Sequence, residues 1–225
     1  MKFTLLLYTL GYLSLILGQN PNQPPRIEFP KRMANTTLIH ANHHLPPRIN
    51  SAIQQHLLAN MADFQNNLVF LGGQILDLKF WAANDTIIPW NTSYILPKYE
   101  LYYELNDSVI GISNYRIQLK LDPYGQLLKI DWPAEQPPNR SAFIPCNMLL
   151  KHAKNYARKR KYNTKNCQYH ICFDAYRQEL SWHFSFRQSA IAQGNDTIYI
   201  CKTFVVDAFS YNIIDELELR SLSWP

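Results

Sequence analysis

An α+β fold is predicted, made of two units that each pack one helix on an antiparallel four-stranded sheet. Three observations predict it. Two stretches of the 225-residue chain carry apolar residues at every third or fourth position, the mark of an amphipathic helix. Each is followed by stretches in which apolar and polar residues alternate, the mark of half-buried strands. A Pro-rich break separates the two, and the same order then begins again. A helix with one apolar stripe has to bury it, and the apolar face of an antiparallel meander is its natural partner.

The first helix begins near Arg48. Ile49, Ile53, Leu57, Met61 and Phe64 recur at helical spacing, with Ala52 and Ala59 beside them and Asn50, Gln54, Gln55 and Asn60 on the other face. Pro47 suits its first turn, where no intrahelical N–H is needed. The period then changes to two. Leu76, Leu78 and Phe80 alternate with Asp77 and Lys79, and Tyr99, Leu101, Tyr103 and Leu105 alternate with Glu100, Tyr102 and Glu104. Tyr115, Ile117, Leu119 and Leu121 make a third strand, and Leu128, Ile130 and Trp132 a fourth. Between these last two, Asp122-Pro123-Tyr124-Gly125 is a turn, because Pro presets φ and Gly accepts a positive one.

After the Pro-rich break the second helix is expected over 147–161, with Met148, Leu149, Ala153, Tyr156 and Ala157 as its stripe. Tyr169, Ile171 and Phe173 alternate with His170 and Cys172; residues 174–178 turn the chain; Leu180, Trp182, Phe184 and Phe186 alternate with Ser181, His183 and Ser185. Residues 198–207 and 213–219 make a further hairpin. The expected organisation is therefore 1–18 signal peptide, 19–47 extended Pro-rich lead-in, 48–132 first unit, 133–145 linker and 146–225 second unit.

The lead segment bears on where the protein works. Lys2 precedes an almost wholly apolar run over 3–17, and Gly18 and a polar Pro-rich stretch follow. These are the parts of a secretory signal peptide, and the run is shorter than the roughly 20 residues a spanning helix needs. A mature N-terminus near Gln19 and a secreted or periplasmic location are expected, with no membrane span after cleavage. The net charge of +5 is modest and does not argue for nucleic acid as a partner. Cys146, Cys167, Cys172 and Cys201 all fall in the C-terminal half. Export permits disulfides, but a chain of this length does not need them to fold, so pairing and free thiols both stay open. Asn-x-Ser/Thr sequons at Asn35, Asn84, Asn91, Asn106, Asn139 and Asn195 would carry glycans in a eukaryotic secretory pathway and be inert in a bacterium.

Several stretches resemble the PepSY-like exported bacterial proteins: Ala153-Lys154-Asn155-Tyr156-Ala157 on a helix, Trp182-His183-Phe184-Ser185-Phe186 on a strand, and Phe204-Val205-Val206-Asp207-Ala208 leading into a turn. In the first unit, residues 119–128 resemble the same strand, Asp, turn and strand ending. In the second unit Ser210 or Asn212 stands where the family pattern has a turn Gly. Cystatin-like folds share the helix-on-sheet logic. The resemblance implies tandem units with a binding or inhibitory role, and it transfers no active-site residue.

The sequence has no Gly-x-Ser-x-Gly elbow, phosphate loop or His-Glu-x-x-His pattern. No catalytic residue, resident metal or cofactor is assigned. The most crowded segment is Cys167-Gln168-Tyr169-His170-Ile171-Cys172. On a strand His170 and Cys172 share a face. If 174–178 closes a hairpin, His170 falls opposite His183, and Cys172 opposite Ser181. Two imidazoles and a thiol on one face match Zn or Cu ligation. The plainer reading is a polar outer face with two ordinary histidines. His40, His43 and His44 form a second cluster in a Pro-flanked segment. The basic run Lys151, Lys154, Arg158, Lys159, Arg160, Lys161 and Lys165 suits an anionic partner or simply a solvated helix C-terminus. Glu100 and Glu104 read as solvated carboxylates on an exposed strand face.

The first expectation is thus an exported, non-enzymatic binding or inhibitory module with a protein or peptide partner. The alternatives are a metal-binding hydrolase or redox protein using His170, Cys172 and His183, and a eukaryotic secreted cystatin-like glycoprotein.

Overall fold

The computed structural model describes residues 36–79, 97–193 and 196–221. Among these residues it shows an α+β fold with two antiparallel sheets and the two α-helices named below. The chain runs β1 (Thr36–Ile39), α1 (Pro47–Met61), β2 (Leu68–Leu76), β3 (Tyr99–Asp107), β4 (Ile112–Leu121) and β5 (Leu127–Ile130). It continues with α2 (Cys146–Lys159), β6 (Cys167–Asp174), β7 (Glu179–Gln193), β8 (Asp196–Asp207) and β9 (Ile213–Ser221). The sheet orders are β1-β2-β3-β4-β5 and β6-β7-β8-β9. The signal peptide expected over 1–18 lies outside the described residues. Among those described, no helix is long and apolar enough to cross a membrane.

The first sheet departs from expectation at its start. It has five strands because Thr36–Ile39, expected within an extended lead-in outside the units, pairs with β2 and buries Ile39. β2 occupies Leu68–Leu76 and ends where the alternation of Leu76, Leu78 and Phe80 suggested that a strand begins. Phe80 lies outside the described residues. The cause is Gly72-Gly73. Gly72 has φ +131° beside a bulge opposite β3, and a Cβ on Gly73 would stand 2.6 Å from the Glu100 carbonyl oxygen. Only glycines allow that approach, and they carry no side chain to register in an alternation.

α1 buries Ile49, Ile53, Leu57 and Met61, and a 3-10 turn over Ala62–Asn67 continues the stripe to Phe64. These pack with Leu101, Tyr103, Ile117 and Leu119 from the sheet. α2 buries Cys146, Leu149, Ala153 and Ala157, whereas Met148, expected on the stripe, is 50% exposed. At helical spacing Met148 lies beside, not on, the Cys146–Leu149–Ala153–Ala157 row. Tyr156 stands edge-on to Phe204, and Leu180, Trp182, Phe184, Phe186, Phe204 and Val206 form the sheet side of this core. The Pro-rich stretch between the units is itself packed. Phe143 lies 6.0 Å from Trp132 and 4.7 Å from Phe209 between ring centroids, and one continuous cluster of buried residues includes members of both sheets.

Asp side chains close the hairpins. Asp122 accepts from the N–H groups of Tyr124 and Gln126, Asp174 from those of Tyr176 and Arg177, and Asp207 from that of Phe209. An Asx turn of this kind fixes the hairpin and therefore the register of the strands it joins.

Candidate metal centre

The 174–178 turn sets the site. With Asp174 opposite Glu179, counting back along both strands places Cys172 opposite Ser181 and His170 opposite His183. Because side chains alternate along a strand, all four project from one face, the one turned away from α2. Ile171, Leu180 and Trp182 project from the other into the core. His170, Cys172 and His183 each offer a donor atom, and these atoms lie within 4.8 Å of one another. The two imidazole centroids are 5.2 Å apart. The face is not a plain solvated surface. Ser181 and Thr203 on it are buried, Cys172 and His183 are half-buried, and His170 is exposed.

Burial sets the protonation of the donors. Desolvation of its ring by the surrounding sheet face holds His170 below its ordinary range even though the side chain reaches solvent. His183 is pushed down to about 4, first by burial and second by the neighbouring His170, with Asp215 acting in the opposite sense. Both rings are therefore neutral at pH 7 and offer lone pairs, as a metal requires. Burial raises the Cys172 thiol to about 12. At pH 7 it is protonated, a poor nucleophile and slow to oxidise, and a metal would have to displace its proton. Around tetrahedral zinc, donors about 2.0–2.3 Å from the metal stand roughly 3.3–3.7 Å apart. The observed span of up to 4.8 Å closes by about 1 Å, within reach of χ rotation at the exposed His170.

Asp215 is the neighbour that reading strand by strand overlooked. It shares a cross-sheet row with His170, His183 and Val205, about two strand spacings from His183. Its influence on His183 marks it as a carboxylate able to favour a cationic centre. The signal was the β8–β9 register, which needs the Asp207 turn to be recognised first.

The other candidates fall elsewhere. His40, His43 and His44 are exposed around a 3-10 turn at Asn42–His44; of the described residues, these do not form a donor group. Cys167 begins β6 and packs toward the core, away from Cys172. All four cysteines are free thiols. Glu100, expected to be solvated, is buried. Lys120 and Gln74 stand opposite it on the two neighbouring strands and reach its carboxylate at 2.9 and 2.6 Å. That cross-strand satisfaction is invisible in one strand's alternation. Glu104 accepts a hydrogen bond from Asn106. In the basic run, Arg160 lies over the Tyr156 ring and pairs with Glu216 at 3.5 Å, while Lys151, Arg158, Lys159, Lys161 and Lys165 are exposed. Two surface depressions of about 440 and 470 Å³ lie away from the triad, one beside Arg140 and Phe143, the other beside His56 and Gly125. No family model, curated protein or solved structure matches this chain.

Proposed function

We propose that the chain is an exported, non-enzymatic binding module of PepSY-like type, built of tandem helix-on-sheet units, whose ligand is one zinc ion held by His170, Cys172 and His183. The observation that carries the reading is the convergence of three neutral donors within 4.8 Å on one sheet face. Two imidazoles and a sulfur suit a borderline ion such as zinc far better than calcium or magnesium, which prefer oxygen. The apolar run over 3–17 followed by Gly18 supports export. The tandem arrangement is supported by an Asp at the head of the last hairpin of each sheet, with turns that differ by one residue: the N–H of Asp122 donates to Gln126 and that of Asp207 to Asn212. A thiol raised to about 12 suits an oxidising compartment, since little thiolate is exposed to oxidants before metal arrives.

Elemental analysis of the purified mature protein tests this. One zinc per chain is expected, retained through dialysis, and lost in Cys172→Ser and His183→Gln. Protein that retains no zinc after expression in zinc-supplemented medium contradicts the reading.

A further inference from the structure

The four side chains at the site form a rectangle of about 5 Å across the strands and 7 Å along them. Three corners are His170, His183 and Cys172, and the fourth is Ser181. A metal seated over the rectangle receives donors from three corners and meets a hydroxyl at the fourth. A neutral serine hydroxyl is a weak zinc ligand but a good hydrogen-bonding partner for one.

The aspartates around the site have other partners. Asp174, next along β6 beyond Cys172, accepts from Tyr176 and Arg177 in its turn. Asp207, opposite Ser181 on β8, accepts from the Phe209 N–H and the Ser210 hydroxyl. Asp215 accepts from the Glu216 N–H. Val205, opposite His183 on β8, has no donor. Asp174, Asp207 and Asp215 are thus each engaged by a backbone N–H in their own segments, and Glu179, next along β7 beyond Ser181, is exposed to solvent. Ser181 itself is buried, so the rectangle meets solvent from the opposite corner, at the exposed His170.

From this arrangement we infer that the centre is an open one: its fourth position, over Ser181, takes a water or one small anion from outside the chain, hydrogen-bonded to the Ser181 hydroxyl. The inference rests on the zinc reading above. Charge favours an anion there, because a divalent ion bound by one thiolate and two neutral imidazoles retains a single positive charge. Three protein donors with one external position is the arrangement of zinc sites that bind and exchange ligands, whereas closed structural sites have four protein donors. The ligand class is therefore small anions, carboxylates among them.

Cobalt(II) is the probe, since its visible spectrum reports coordination where zinc is silent. The metal-free full mature protein is loaded with one equivalent of cobalt and titrated with azide. The expected result is a sulfur-to-metal charge-transfer band together with a saturable change in the visible bands as azide enters. Ser181→Cys should bring a second thiolate to the metal, strengthen that band and abolish the azide response. Ser181→Ala should keep cobalt binding and weaken azide by about threefold to tenfold, the worth of one hydrogen bond. Cobalt binding without any azide response overturns the open position and leaves the zinc reading standing. An azide response unchanged in Ser181→Cys places the open position elsewhere and overturns the role of Ser181. Failure of the wild type to bind cobalt or zinc at all overturns both.

Discussion

His183 shows how one residue's surroundings become a measurable property of the whole chain. Unfolded, its ring titrates near 6.5, and in the folded protein burial and His170 push it down to about 4. Between those two values the unfolded chain carries a proton that the folded chain refuses. The stability contributed by the neutral ring is complete above pH 6.5 and is lost as pH falls through 4. His170 is shifted in the same direction. Metal-free protein should therefore show a denaturation midpoint that drops between pH 6.5 and 4, and His183→Gln should flatten part of that drop. A variant as pH-sensitive as the wild type across this window would remove His183 as the cause. The triad was legible in the sequence for one physical reason: the 174–178 turn leads with an Asp, and a short turn leaves one register, which brings 170 opposite 183. Glu100 was not legible in the same way. Its partners Lys120 and Gln74 come from two other strands, so its burial depends on pairings that alternation within β3 does not encode.

At the scale of elements, strands with strict alternation were readable and those without it were not. β3, β4, β6 and β7 each carry an apolar face and a polar face, and their positions followed from that. β2 is an almost continuous apolar run broken by Gly72-Gly73, and β1 has only the residues of Thr36–Ile39; both acquire strand geometry from neighbours, not from their own pattern. The second core tests the packing argument. Trp182 is 2% exposed, stacks beside Phe184 with centroids 6.2 Å apart and shares the core with Leu149 and Ala153 from α2. Trp182→Ala removes most of a fully enclosed ring and should cost about 3–5 kcal/mol in denaturant unfolding. Because Trp182 is the core-facing neighbour of His183, a loss of that size also bears on the site, whose strand it anchors. A variant unfolding at the wild-type midpoint would mean that this face of β7 is not the core.

At the scale of the molecule, charge and metal are separate questions located on separate surfaces. The basic run ends α2, where cations complement the helix dipole. Arg160 pairs with Glu216 while itself 53% exposed, where solvent and salt screen the pair. Neutralising Arg158, Lys159 and Arg160 together should leave the fold and any bound zinc intact and lower the denaturation midpoint only slightly. A larger loss, or loss of zinc, would show the helix end coupled to the site in a way that the contacts of Arg160 do not provide. The fold serves the site by rigidity: α2 and the aromatic core hold the inner face of β6 and β7, so the outer face presents its donors in one register.

The most direct measurement is X-ray absorption at the zinc edge of the loaded mature protein. The account predicts one sulfur at about 2.3 Å and two imidazole nitrogens at about 2.0 Å, with one further light-atom ligand. It also predicts that the sulfur is lost in Cys172→Ser. A first shell of oxygen and nitrogen alone in the wild type would contradict it.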